Sequence, residues 1–297
     1  MGAQLRLVRR RIRSIQSTKK ITKAMELIAA SRILKAQQRV EAARPYAELL
    51  TRAMEDVARQ TGSLVHPLLE ERPQPERAAV LVMTSDRGLA GAYNANVLKR
   101  AEDLMGRLRG RGIEPVIYVS GRKGLGYLRF RGFAIEGSWT GHSEVPTYEV
   151  AEQIGRALID AFADHRIDEV HAAYTDFRSA FTTRATDRRF LPIAPEEVVR
   201  RELGLPYPEY IFEPEPSAIL DELLPQYVIT KVYAALLESA ASENANRRRA
   251  MKAATENAEE LTKVLTRVAN QARQAEITTE IMDVVGAAEA LGTASGD

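Results

Sequence analysis

Tyr233, Leu237, Ala240, Asn244, Arg247, Met251, Ala254, Ala258, Leu261, Leu265, Val268, Ala272, Ala275, Thr279 and Met282 stand four and three residues apart in unbroken alternation. That spacing is a heptad seam, the pattern of a helix that pairs along one face. Neither Gly nor Pro occurs between Pro225 and Gly286. Both are disfavoured in helix interiors, so the stretch predicts one helix over about 226–290. At 1.5 Å per residue it would reach about 95 Å, some three times the width of a small domain, and would have to project. Its seam is rich in Ala, which lets a partner helix approach closely but buries too little apolar area for the helix to stand alone.

The partner is expected at the other end of the chain. Between Gly2 and Gly62 there is no Gly and a single proline, Pro45. The same alternation runs through Ile33, Ala36, Val40, Ala43, Ala47, Leu50, Met54 and Val57, and earlier through Leu5, Val8, Ile12 and Ile15. The phase is read as slipping between the two runs. Pro45 has no N–H to donate and is expected to kink or end this helix near Arg44. With about 160 residues between the two helices, an antiparallel intrachain coiled coil closed by a domain is the simplest arrangement. A parallel homodimeric coiled coil is the alternative.

The middle reads as α/β. Ala78 to Thr84, Pro115 to Ser120 and Glu169 to Tyr174 are short apolar runs bounded by turn residues, hence buried strands, and Phe190 to Ile193 offers a further one. Helical stretches at Asn94–Arg109 and Thr147–His165 alternate with them, which predicts a parallel sheet covered by helices. The fold class expected is therefore α/β: a long antiparallel coiled coil of N- and C-terminal helices plus a central Rossmann-like parallel-sheet domain. The divisions fall at 1–62, 63–224 and 225–297.

Composition excludes several classes of function. The 297 residues carry 42 Lys and Arg against 40 Asp and Glu, a net +2, so no whole-chain charge points to nucleic acid. No apolar run is long enough to cross a bilayer. The absence of Cys removes disulfides, thiol catalysis and Cys-based zinc sites. The start lacks the apolar core and cleavage site of a secretory signal, and a cytoplasmic protein is expected; an Arg-rich transit peptide is the alternative.

Motifs give little chemistry. Ser85-Asp86-Arg87-Gly88-Leu89-Ala90-Gly91 joins a strand to a helix, where it serves either as a tight turn or as a phosphate cradle. Neither it nor Gly121-Arg122-Lys123-Gly124-Leu125-Gly126 has the spacing of a nucleotide-binding loop. The four His lack metal spacing. No catalytic, cofactor or metal residue is assigned. Charge is informative locally: Arg6, Arg9, Arg10, Arg11, Arg13, Lys19, Lys20 and Lys23 precede the first acidic residue, Glu26. With Ile12, Ile15, Ile21, Met25 and Ile28 read as an apolar stripe through the run, this is a solvated face, a surface for an acidic protein or a nucleic-acid contact. The tail residues Ile277, Ile281, Met282, Val284, Val285, Ala287, Ala288 and Leu291 are apolar nearly all round and call for an apolar socket.

Three ordered blocks now carry a resemblance: Ile21-Thr22-Lys23-Ala24-Met25-Glu26-Leu27-Ile28-Ala29-Ala30-Ser31, then Ser85 to Asn94, then Ser242-Glu243-Asn244 through Met251 to Thr255, Ala272 to Ala275 and Ile277 to Glu280. In these the chain resembles the gamma subunits of F-type ATP synthases over essentially its whole length. The resemblance implies a non-catalytic rotor shaft, its coiled coil inside a ring of alternating alpha and beta subunits and its central domain at the foot beside epsilon and the membrane c-ring. It implies coupling of proton flow to ATP synthesis or hydrolysis on beta, with no cofactor, no nucleic acid and a peripheral position on the cytoplasmic face of a bacterial plasma membrane. The implied beta contacts are Lys20, Lys23, Met25, Arg273, Gln274, Thr278 and Glu280; Glu213 and Arg247 match positions linking shaft and neck. A nucleotide-binding α/β enzyme with coiled-coil arms is the other reading.

Overall fold

The computed structural model describes residues 2–61, 66–179, 181–194 and 215–294. In chain order the elements are α1 (Gly2–Thr61), β1 (Arg77–Met83), α2 (Tyr93–Gly110), β2 (Glu114–Ser120), α3 (Arg122–Phe130), β3 (Ile135–Trp139), α4 (Tyr148–Ala163), β4 (Glu169–Phe177), β5 (Thr183–Leu191) and α5 (Pro216–Ala294). They form two compact units, one of Met1–Ile28 with Arg248–Asp297, the other of Ala29–Arg247.

The larger unit is built on a five-stranded sheet in the order β3-β2-β1-β4-β5. β1 pairs in parallel with β2 and β4, and β2 in parallel with β3. Successive side chains of a strand face opposite sides, and β1 shows it. Ala78, Val80 and Val82 join a core with Val97, Ala101, Leu104 and Leu108 of α2 and Leu128 of α3. Ala79, Leu81 and Met83 join the opposite core with Ile154 and Leu158 of α4, Leu224, Val228 and Val232 of α5 and Met54 of α1. The inner half of α5 is therefore a sheet-covering helix, buried nearly all round from Val228 to Arg247.

The α/β class and the parallel inner strands are as the sequence indicates, with one addition. β5 runs antiparallel to β4 and spans Thr183–Leu191 rather than Phe190–Ile193. Its alternating Thr, Arg and Asp residues have one wet face, so no apolar run marks it; β3, at the other edge, is hidden for the same reason.

Both helices outrun their expected limits. α1 passes through Pro45 and α5 begins before Pro225. The carbonyl that Pro45 leaves without a donor belongs to Glu41, and both residues are exposed, where burial adds no cost to the missing bond.

In the smaller unit the two helices run antiparallel. Thr22 Oγ1 and Thr255 Oγ1 share a hydrogen bond of 2.7 Å, while Lys19 Nζ lies 3.2 Å from Glu259 Oε2: three residues back on α1 is four forward on α5. Leu5, Val8 and Ala269 form a core with Ile12, Leu265 and Ala272 packed on it. The phase read from sequence is corrected on both strands of the coil. On α1 there is no slip, because the buried side passes from Ile15 through Lys19, Thr22, Glu26 and Ala29 to Ile33, while Ile21 and Ile28 are exposed. On α5 the expected Met251, Ala258, Leu265 and Ala272 lie on the buried side, but between them the seam uses Thr255, Thr262 and Ala269, one residue later than the expected Ala254, Leu261 and Val268. Small and hydroxylic residues let the helices close in, and the larger aliphatic groups are left outside.

Candidate functional site

α5 passes over the C-terminal ends of β1 and β4, where Ser242 Oγ donates to the Thr175 carbonyl at 3.2 Å. This is where the strand order reverses, the crevice in which α/β sheets usually receive ligands. Here the chain fills it. Arg247 Nη2 donates to Glu243 Oε1 at 2.6 Å and approaches the carbonyls of Gly88 and Arg87 at 3.3 and 3.4 Å. A cation therefore sits on the carbonyls of the turn that joins β1 to α2. Asn94 Oδ1 accepts from the Ser85 N–H at 2.9 Å, closing it onto α2. Gly121 and Gly124 serve close approach: a Cβ on Gly121, at φ +101, would stand 2.2 Å from the Thr84 carbonyl oxygen, and one on Gly124 2.7 Å from Thr84 Oγ1.

Side chains of Arg247 and Glu243 are 5% and 1% exposed. Burial raises the Glu243 carboxyl above its ordinary range despite the guanidinium beside it. Nearby, burial pushes the Asp86 carboxyl up, but the N–H groups of Ser143, Gly141 and Arg122 outweigh it and hold that carboxyl below the usual range.

The remaining expected site residues lie in the smaller unit. Lys20 and Lys23 are exposed, Lys23 pairing with Glu26 at 3.1 Å, and Met25 is half-buried. Arg273, Gln274, Thr278 and Glu280 are exposed on α5, where Thr278 Oγ1 donates to the Gln274 carbonyl at 2.9 Å. The two groups do not converge. The Thr22–Thr255 register puts Lys20 to Met25 level with the stretch around Thr255, about 18 residues before Arg273, which is roughly 30 Å along a helix. Glu213 lies outside the described residues.

Sequence reading missed a third feature. Ile21, Leu27 and Ile28 of α1 and Leu261, Val264 and Val268 of α5 are all exposed, Ile21 at 58% and Leu261 at 51%. Ile277, Ile281, Met282, Val284 and Val285 continue exposed toward the end of α5, whereas Ala287, Ala288 and Leu291 lie beyond the described side chains. Single exposed aliphatics are ordinary, and a series of them along one helix pair is the composition found where proteins meet one another. The heptad spacing of Ile21 and Ile28 was the available signal, assigned to the wrong side. Beside it stand the exposed Arg9, Arg10, Arg11, Arg13 and Lys20, so the surface combines aliphatic contact with positive charge.

Residues 4–291 match the family profile described as ATP synthase. The chain is 57% identical over 295 residues to the ATP synthase gamma chain of Acidothermus cellulolyticus, covering 98% of each. It is 55% identical to the ATP synthase gamma chain of Mycolicibacterium smegmatis, covering 98% of this chain and 99% of that one. Among solved structures it is similar to a chain of the Tetrahymena thermophila mitochondrial ATP synthase central stalk and c-ring, with TM-score 0.57 and 25% identity over 79% of this chain and 99% of that one. Similarity to a chain of the Euglena gracilis mitochondrial enzyme, with TM-score 0.67 and 14% identity over 100% and 97%, is one of fold.

Proposed function

The chain belongs to the ATP synthase gamma chain family, and from that premise we propose that it works as the central-stalk rotor, its smaller unit turning inside a ring of alpha and beta subunits. The observation that carries the reading is the smaller unit's surface, an aliphatic band beside a basic collar on an antiparallel helix pair. Each beta site is held in a different state because the contact energy of that surface varies with angle; a ligand bound on beta in turn biases the angle. Moving a site from mostly one state to mostly the other takes about 5.5 kcal/mol of differential contact. At about 25 cal/mol per Å² that is roughly 220 Å² of apolar surface, within reach of a few Leu, Ile and Val side chains. Exposed ion pairs supply at most about 1 kcal/mol each, so Lys20, Lys23 and the collar orient the shaft while aliphatic contacts bias it.

In this reading ATP is made or hydrolysed on beta and the chain has no catalytic site of its own. Met25, Arg273, Gln274, Thr278 and Glu280 touch beta at two levels of the shaft. The α/β core, within the division at 1–62, 63–224 and 225–297, stands at the foot with epsilon and the c-ring, and Glu213 with Arg247 links neck to shaft. The complex would hold it peripherally at the cytoplasmic face of a bacterial plasma membrane and couple proton flow to ATP; among the described residues no helix is long and apolar enough to cross a membrane. The test is reconstitution of purified alpha and beta subunits with and without this chain. Co-purification and a chain-dependent ATPase are expected. A ring that assembles and turns over identically without the chain would refute the proposal.

A further inference from the structure

Resting on the rotor reading, we infer that Glu144 is a positioning residue that locks α1 and α5 to the α/β framework and so carries torque between them. Glu144 lies in the loop between β3 and α4, and three guanidinium groups from three different places converge on it. Arg32 of α1 reaches Oε1 at 2.5 Å, Arg247 of α5 reaches the same oxygen at 3.5 Å, and Arg87 of the β1–α2 turn reaches Oε2 at 3.5 Å. All four residues belong to the larger unit, and the carboxylate side chain is only 16% exposed.

The loop that presents Glu144 is itself pinned to the sheet. The Ser143 N–H donates to Asp86 Oδ2 at 2.9 Å, and the Asp86 N–H donates back to Ser143 Oγ at 2.8 Å. His142 Nε2 is 3.0 Å from Ser120 Oγ at the end of β2. The carboxylate is thus fixed to the ends of β1 and β2 before it meets either long helix.

Stability does not account for such a hub, because a buried or half-buried ion pair gains about as much as its desolvation costs and a well-packed apolar replacement is often as stable. Geometry does. Around this level the buried residues of the two helices include small ones, Ala29 and Ala36 on α1 and Ala240, Ala241 and Ala245 on α5. Apolar contact is non-directional and resists rolling or sliding weakly. An ion pair is short-ranged and has fixed partners, so one carboxylate shared by two helices and a pinned loop limits their mutual rotation. Glu243 engages the other side of Arg247, so that side chain is held from its own helix and from the framework at once.

The experiment uses the complete synthase in vesicles with Glu144→Gln, Glu144→Asp and the double variant Glu144→Gln with Arg32→Met. It reads ATP-driven proton pumping, ATP hydrolysis and the melting temperature of the free chain. Glu144→Gln keeps the shape and removes the charge. Its pumping per ATP is expected to fall by about half while hydrolysis continues, the result of a coupling that slips under load. Glu144→Asp should recover most of the loss, and the double variant should be no worse than Glu144→Gln, because both changes break one interaction. A Glu144→Gln enzyme that pumps as many protons per ATP as wild type overturns the inference, whatever its melting temperature. A wild-type chain that supports no pumping overturns the rotor reading and this inference with it.

Discussion

Between Ser242 and Arg247, α5 buries a serine, a carboxylate, an amide and a guanidinium; between Leu261 and Val285 it leaves leucine, valine, isoleucine and methionine in water, Val284 at 69% exposure. One continuous helix follows opposite rules in its two parts. Burial of charge is tolerated where it is paired, as Glu243 is with Arg247, so the inner part is committed to one arrangement. Exposed aliphatic surface is compatible with solution yet gains free energy against any apolar wall, so the outer part suits a contact that is made, broken and remade. The inner part fixes geometry and the outer part leaves apolar surface open.

The comparison breaks most readily at Arg247. Arg247→Met removes the partner of a buried carboxylate and the donor to the Gly88 and Arg87 carbonyls. Unfolding of the larger unit should become easier by about 3–5 kcal/mol, measured by denaturant titration of the free chain. A loss below about 1 kcal/mol would mean that the charges are solvated and the contrast is false.

A smaller effect comes from pH. Burial first, then the Asp176 carboxylate, push Glu238 from 4.5 up to about 7, while Arg188 opposes the rise. Tyr174, on the same strand as Asp176, is raised by burial and by Glu238. The folded state holds this proton more tightly than the unfolded chain, so Glu238 contributes stability at pH 4.5 that is lost as pH rises to about 7 and does not change above it. Glu169 has the opposite sign. Its hydrogen bond from His171 is the largest influence; burial opposes it, Arg111 assists, and the carboxyl is held at about 2. Its contribution is present above 4.5 and lost as pH falls toward 2. Glu238→Gln should flatten the melting temperature between the two Glu238 values while leaving the acid limb intact. An unchanged slope there would contradict the assignment.

The smallest effect on stability is expected in the outer part. Leu261→Gln with Val268→Gln should change the unfolding free energy of the free chain by no more than about 0.5 kcal/mol, because neither side chain lies in the seam. The same pair should weaken assembly with alpha and beta, measured by co-purification. A large destabilisation of the free chain with normal assembly would return both residues to the coil's interior.

Much of this was legible from sequence. Heptad spacing gave the paired helices, and the apolar runs at Ala78, Pro115 and Glu169 gave the inner strands. The phase of the coil was not, because reading by hydrophobicity selects Ile21, Leu261 and Val268, whereas close approach of two helices selects Thr22, Thr255 and Ala269. β3 and β5 were obscured by the mixed polarity that edge strands carry. Arg247 was identified through resemblance, but its partner Glu144 stands more than one hundred residues away in a loop, and no spacing rule joins a loop carboxylate to three distant arginines. Only the Glu243–Arg247 pair of the inner ion cluster, four residues apart on one helix, follows a local spacing; the links to Glu144 are a product of tertiary structure.

The most direct test of the rotor reading is to watch the larger unit turn. The chain contains no Cys, so Lys99→Cys on the exposed side of α2 provides a single attachment point for a bead in a complex whose alpha and beta subunits are fixed to a surface. The account predicts that ATP drives the bead through successive steps in one direction. A bead that stays fixed relative to the ring while ATP is hydrolysed would contradict it.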